Sequence, residues 1–379
     1  MSSGENKMNN STIRILHILT SLDRGGIETM LMNYYRAIDT NIIQFDFLLH
    51  REGEFAYSKE VIERGGIIYS LPHFNPLNIN YLNSLDKFFS EHTEYKIVHS
   101  HLNCLSAIPL RYAKKHGIPV RIAHSHIIIY ANSLKDIAKK ILKPLIPFYA
   151  NYLFACSNQA GKWMFPKHNF YVIKNAIDAS KFSYDKLKRN SIRKEMGIEN
   201  NYIIGHVGRL TSQKNQIFLI ELMKILTNDL PEAKLILVGD GEQEGVIKSK
   251  IKEYDIEDNI ILLNSRNDIA DILQGFDIFV FPSLYEGLGI VAIEAQASGL
   301  TTLCSEYVPE EVKVTELAKF LPLDKEIWKS EILYTITTKN NRKDTYEEIK
   351  EANYDIKTEA IKLQNEYVKM YCRANNISK

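Results

Sequence analysis

The 379-residue chain is predicted to be α/β throughout, folded as two successive doubly wound halves, each a parallel sheet with helices on both faces. Three observations predict this. Apolar runs of strand length alternate with helical stretches along most of the chain. The alternation pauses at a charged run, 184–196, and then restarts. The length suits two domains of ordinary size, each able to bury its own core. The balance of residues is globular, 45% hydrophobic and 25% charged, and a net charge of +1 gives no signal for nucleic acid.

The elements follow in order. Residues 13–19 read as a buried strand, and Gly25-Gly26 leads into a helix whose Ile27, Leu31, Tyr34 and Ile38 recur at helical spacing. A strand at 45–49, a helix ending near Arg64, and a strand at 67–70 come next. The alternation continues with a helix at 80–91, a strand at 95–99, a helix at 105–116 and a strand near 119–124. A strand at 152–156, a helix and a strand at 170–173 close the first half, and the turn 175–178 with the charged run 184–196 reads as the connection between halves. The second half carries strands at 202–207, 234–238, 259–263, 277–281 and 301–304. Its helices lie near 216–226, 242–254, 268–275, 290–297 and 326–337. A long final helix at 354–371 places Ile356, Ala360, Leu363, Tyr367 and Met370 on one stripe.

Several features bound function. No run of eighteen apolar residues is present and the N-terminus lacks an apolar signal segment, so a cytoplasmic chain is expected. Cys104, Cys156, Cys304 and Cys372 are widely separated and read as reduced structural thiols. Residues 133–150 mix Lys135, Lys139, Lys140 and Lys143 with apolar residues. This stretch reads as an interfacial segment on an anionic membrane, or otherwise as a surface helix with a solvated lysine face.

Ligands of open α/β sheets sit beyond the carboxyl ends of the strands, so the strand-end loops hold the candidates. The stretch from Phe281 to Gly299 reads as strand, glycine-bearing turn and helix, with Glu286 in the turn and Glu294 inside the helix. Such a helix N-terminus offers free N–H groups to a phosphate. The same pattern also occurs with no ligand at all. In the loop 208–215, Arg209 and Lys214 suit a diphosphate clamp, Arg as a planar fork and Lys as a point charge; otherwise they are two solvated charges. Gly239-Asp-Gly-Glu-Gln-Glu-Gly245 is a weak match to a dinucleotide loop because its last spacing is one residue too long. Arg266 is a candidate wall for a base. In the first half, Gly25-Gly26 allows close backbone approach, and His99, His101, His124 and His126 end two strands. Alternate histidines also fit zinc, but with no Cys or carboxylate at helpful spacing, and no Asp-x-Asp pair for magnesium, no metal is expected.

The spacing Glu286-x7-Glu294 within PSLYEGLGIVAIEAQASG resembles the most characteristic segment of the retaining glycosyltransferases of family 4. Gly25-Gly-Ile-Glu28, the His-Ser-His stretch, 172–178, Gly208-Arg-Leu and Gln213-Lys214 match it in the same order, and the resemblance spans about residues 13–372. Residues 122–126 and 304–312 look like enzymes of capsular and exopolysaccharide assembly. The resemblance implies the glycosyltransferase B fold: two Rossmann-like domains facing a cleft, with the final helix crossing back to the N-terminal domain. It assigns 1–180 plus 355–379 to an acceptor domain and 181–354 to a nucleotide-sugar domain.

By this resemblance Arg209 and Lys214 hold the diphosphate, Glu286 the sugar hydroxyls and Glu294 the ribose. Backbone N–H groups over Gly287, Leu288, Gly289 and Ile290 cap the phosphates, and Gly26 approaches them from the other domain. The histidine near the reacting sugar falls on His124 or His126, with His126 preferred, and His101 joins the acceptor side. The implied substrates are a UDP-sugar and a lipid-linked saccharide, handled without metal or cofactor by a peripheral enzyme at the cytoplasmic membrane face. The chain departs from the family in having Thr301 where proline is frequent and Asn215 where glycine is common. The alternatives are an epimerase or phosphorylase on the same fold, a non-catalytic assembly subunit and, on Gly239–Gly245 alone, an NAD-dependent oxidoreductase.

Overall fold

A computed structural model describes residues 12–75, 77–126, 141–338 and 342–376. The chain divides into two compact units, residues 1–176 with 356–379, and residues 177–355.

The first unit is built on a seven-stranded sheet of order β3-β2-β1-β4-β5-β6-β7, with every described pair parallel. Its strands are β1 (Ile13–Leu19), β2 (Ile43–Leu49), β3 (Ile68–Ser70), β4 (Ile97–Ser100), β5 (Val120–Ser125), β6 (Tyr152–Ala155) and β7 (Tyr171–Val172). The period of two decides the packing. Ile15 and Leu19 of β1 enter one core with Phe45 and Phe47, while Leu16 and Ile18 enter the opposite core with Leu85 and Phe89. The final helix, Ile356–Ala374, buries Ile356, Ala360, Leu363, Tyr367 and Met370, and this stripe completes the first of those cores beside Met30, Leu31 and Tyr34. Chain order places the helix after the second unit, but its buried face belongs to the first.

The second unit carries a six-stranded parallel sheet of order β10-β9-β8-β11-β12-β13. Its strands are β8 (Tyr202–Val207), β9 (Ala233–Val238), β10 (Ile260–Leu263), β11 (Ile278–Phe281), β12 (Thr301–Ser305) and β13 (Ala318–Leu321). Strand order reverses at β8 and β11, so the loops after these two strands flank the switch point where such sheets bind ligands.

Some elements differ from the sequence expectation. The charged run 184–196, read as part of the connection between halves, carries a helix, Lys186–Glu195, capped by Asp185 and packed into the second unit. Only Ile192 and Arg193 of this helix are buried, so no apolar stripe announces it. Its hold is polar. Arg189 and Arg193 donate to the carboxylate of Asp277, and Arg193 also donates to the Gly275 carbonyl at 2.9 Å. Strand β13 was likewise absent from the expected set; its Ala-Lys-Phe-Leu sequence is short and breaks the apolar run at Lys319. Of the basic stretch 133–150, residues 133–140 lie outside the described residues. Among the described residues no helix is long and apolar enough to cross a membrane.

Candidate functional site

The chemistry of the second unit gathers at the ends of β8 and β11. Lys214 Nζ lies 2.6 Å from Glu286 Oε1, and both side chains are nearly out of water, at 17% and 7% exposure. The ammonium also sits 4.7 Å from the centre of the Phe281 ring. The two loops are tied by backbone as well as charge. Leu284 N–H donates to Gln213 O at 2.8 Å, and the Gln213 side-chain amide donates to Tyr285 O at 2.9 Å. Asn215 holds the left-handed conformation, φ 57° and ψ 40°, that glycine adopts without penalty, and its amide donates to Pro282 O at 3.2 Å. Asparagine tolerates that conformation, so the departure from the family pattern keeps the turn.

The helix Ile290–Ala297 starts at Gly289, whose φ is +89°. A methyl group there would fall 2.8 Å from the Phe281 ring, so both conformation and space require glycine. No side chain caps this helix, which leaves its first N–H groups for a ligand. Leu288 turns inward and is 4% exposed, a core residue whose backbone alone is available. Glu294 is partly buried, makes no hydrogen bond or ion pair through its carboxylate among the described residues, and burial pushes it up to about 7.

Arg209 is exposed, with no side-chain partner among the described residues. Its loop is positioned by a residue that sequence reading passed over. Buried His206 donates through Nδ1–H to Val280 O (2.9 Å), and its Nε2 accepts from the Gln216 amide at 3.2 Å. Gln216 in turn donates to Arg209 O at 2.9 Å. Arg266 is not drawn into this group; it pairs with Asp268 at 2.6 Å, both about one-third exposed. The glycines after β9 have a structural use. A methyl at Gly239 would lie 2.2 Å from Gly208 O, and one at Gly241 would lie 2.2 Å from Leu210 O. They let this turn pack against the 208–210 loop, and this close packing accounts for the pattern that resembles a dinucleotide loop.

In the first unit, helix Gly26–Ala37 also begins without a side-chain cap. Glu28 folds over Gly25, so a methyl there would meet its carboxylate at 2.3 Å. A methyl at Gly26 would meet nothing within 4 Å, so the fold itself does not demand glycine there. The histidines are gathered by strand register. His17 pairs with His99 across β1 and β4, and the period of two puts His101, His124 and His126 on the same face. All are at most 5% exposed. Two hydrogen-bonded runs thread them: Tyr367 Oη–His99–His124 at 2.6 and 3.2 Å, and His17–His101–His126 at 3.0 and 2.9 Å. Asn103, itself at φ 53°, accepts from His126 N–H at 2.7 Å and fixes the strand end. The pairs His99/His101 and His124/His126 were legible in sequence, but His17, Asn103 and Tyr367 were not.

Residues 188–350 match the family described as Glycosyl transferases group 1, and residues 24–181 match Glycosyltransferase Family 4. EpsF of Bacillus subtilis (strain 168), a provisionally assigned glycosyltransferase, is 33% identical over 315 residues, covering 80% of this chain and 82% of the relative. The chain belongs to glycosyltransferase family 4. Other family members include CapH of Staphylococcus aureus, a capsular polysaccharide biosynthesis glycosyltransferase, 25% identical over 87% of this chain and 92% of its own. An Escherichia coli UDP-Gal:alpha-D-GlcNAc-diphosphoundecaprenol alpha-1,3-galactosyltransferase is 25% identical over 79% of this chain and 81% of its own. Among solved structures, Anabaena Alr3699/HepE in complex with UDP has a TM-score of 0.80 at 18% identity, over 94% of this chain and all of that one. WaaG, from lipopolysaccharide biosynthesis, has a TM-score of 0.61 at 15% identity, over 96% of this chain and 99% of that one. These structures share the glycosyltransferase B fold of two Rossmann-like units; the family matches and the likeness to EpsF make the chain a glycosyltransferase.

Proposed function

We propose that this enzyme transfers a sugar, with retention, from a UDP-sugar to a hydroxyl of a lipid-linked saccharide during assembly of a capsular or extracellular polysaccharide. The observation that carries the reading is the buried Lys214–Glu286 pair set beside an uncapped helix N-terminus at Gly289. A cation and free N–H groups side by side suit a diphosphate, and a neighbouring carboxylate suits the hydroxyls of the sugar attached to it. The donor assignment is supported by the name of the Escherichia coli relative, which uses UDP-Gal, and by neighbours solved with UDP and UDP-glucose. The acceptor class is supported by that relative's diphosphoundecaprenol substrate and by the capsular role of CapH.

In this reading Lys214 and Arg209 hold the diphosphate, and the N–H groups from Gly287 to Ile290 cap it. As the anomeric bond breaks, negative charge gathers on the leaving diphosphate. Charges and dipoles already aimed there stabilise it without reorganising, so donor chemistry needs no metal. Glu286 accepts hydrogen bonds from the sugar and keeps Lys214 in place, and Glu294 accepts from the ribose. The acceptor hydroxyl attacks the face the leaving group vacates, and the leaving phosphate takes its proton. Gly26, with His101, His124 and His126, belongs to the acceptor unit.

The test is an assay of sugar transfer and donor hydrolysis with Lys214→Ala and Glu286→Ala, using a donor found by thermal shift across nucleotide sugars. Both variants are expected to lose at least about 100-fold in kcat. Wild-type activity in both would overturn the site. The configuration of the product's anomeric carbon, read by NMR, decides retention.

A further inference from the structure

The five clustered histidines of the first unit, His17, His99, His101, His124 and His126, are more than the transfer reaction asks for. Burial holds each imidazole neutral, His17 and His126 down to about 3. A neutral imidazole carries one N–H and one bare nitrogen. In the run His17–His101–His126, two hydrogen bonds join three rings. Whichever way that run points, one N–H is left at one end and one bare nitrogen at the other. Those ends are His17 Nε2 and His126 Nδ1, both buried without a partner among the described residues. The second run, from Tyr367 through His99, ends at His124 Nε2, also buried and unpartnered. An unsatisfied buried polar atom costs about 1–3 kcal/mol, and the orphaned His124 nitrogen belongs to a ring that clusters with His101 and His126.

We propose that His101, His124 and His126 form a binding site for a divalent transition-metal ion of the zinc class. One ring nitrogen from each lies within 4.8 Å of the other two. The assignment that disturbs least uses His101 Nδ1 and His126 Nε2, 2.9 Å apart, with His124 Nε2 as the third ligand. It exchanges a single hydrogen bond for coordinate bonds and satisfies the orphaned nitrogen of His124. The supporting shell is already built. His101 Nε2–H then donates to His17 Nδ1, and His124 Nδ1–H to His99 Nε2, whose own Nδ1–H reaches Tyr367 Oη. Metal-bound imidazoles are oriented in this way by an acceptor on the other nitrogen. His17 Nε2 and His126 Nδ1 stay without a partner among the described residues. Neutral nitrogen ligands select zinc, cobalt, nickel or copper over magnesium or calcium, and three imidazoles leave a fourth position for water or a substrate oxygen. The linear spacing argued against a metal because no Cys or carboxylate was near; strand register supplies an all-imidazole set instead.

The test uses the full-length, tag-free chain, stripped with chelator and titrated with Co2+, whose visible absorption reports coordination, followed by displacement with Zn2+. One equivalent is expected to bind saturably with a four- or five-coordinate spectrum. The double variant His124→Gln/His126→Gln is expected to lose it, and His73→Asn, at an exposed histidine, to keep it. Tyr367→Phe, which touches no proposed ligand position, is expected to weaken binding by about tenfold through the supporting shell. No saturable equivalent in the wild-type chain, or undiminished binding in a folded double variant, overturns the site. If the double variant does not fold, imidazole 15N spectra of the wild-type chain decide: His101 and His124 nitrogens that do not shift with Zn2+ also overturn it. None of these readouts uses sugar transfer, so their failure leaves the proposed function standing, and an inactive donor site leaves the metal result standing.

Discussion

At the scale of single residues, the donor site is a set of mutual dependencies. Glu286 is 7% exposed and its counter-charge among the described residues is Lys214, so removing the lysine strands a buried carboxylate. Lys214→Ala is therefore expected to lower the melting temperature as well as activity. Lys214→Ala/Glu286→Ala should recover part of that stability with none of the activity, which thermal denaturation beside the transfer assay will show. Glu294 gives a pH prediction. Its folded pKa, near 7, is raised above the ordinary carboxylate value, so the folded state holds the proton more tightly between about 4.5 and 7. The sign follows: stability from this group is full at low pH and declines as pH rises through that window. A ribose hydroxyl that donates to Glu294 needs the ionised form, so a UDP-sugar is expected to bind up to about tenfold tighter at pH 8 than at pH 6. Calorimetric Kd values that stay flat over this range, or that slope equally in Glu294→Gln, would remove the carboxylate from the ribose site.

At the scale of elements, what was legible depended on how each element is held. β1, β2, β8 and β9 are apolar and deeply buried, and their patterns are plain in the sequence. The helix Lys186–Glu195 was missed because arginine–carbonyl and arginine–carboxylate bonds hold it where an apolar stripe would have been visible. The prediction attached to it is that Asp277→Ala costs about 2–3 kcal/mol, because two arginines and the Ile203 N–H lose their shared acceptor. Urea unfolding measures this, and a cost below about 0.5 kcal/mol would show the helix to be held by something else. The candidate site divides in the same way. The turn and helix at 281–297 and the loop at 208–215 were legible as local patterns. The Lys214–Glu286 contact spans 72 positions and the histidine network needs the β1–β4–β5 register, so neither is visible in spacing alone. Within the basic stretch, Ile141 and Phe148 are exposed at 65% and 68%. In the reading of this stretch as an interfacial segment, Ile141→Ser/Phe148→Ser is expected to weaken binding to anionic liposomes several-fold in a flotation assay, and unchanged flotation would overturn that reading.

At the scale of the whole molecule, chain order and structural order disagree in a way that can be tested. The second unit begins and ends at the same place, because Ile177 bridges to Asp355 and its N–H donates to Tyr354 O at 2.9 Å. Adjacent ends and a complete six-stranded sheet with its own core describe a unit able to fold alone. The fragment 177–355 is therefore expected to melt cooperatively and, in the proposed function, to bind UDP. Deleting 356–379 removes nothing from that unit. It strips Ala360, Leu363, Tyr367 and Met370 from the core of the first unit and takes the hydroxyl from His99. Burying four such side chains contributes several kcal/mol, comparable to the whole stability of a domain. Calorimetry of the truncated chain is thus expected to show the transition of the 177–355 fragment at its own temperature, with the first unit's transition lost or lowered by many degrees. A truncation that lowers both transitions equally would mean that the final helix supports the two units alike, against the single buried stripe that ties it to the first.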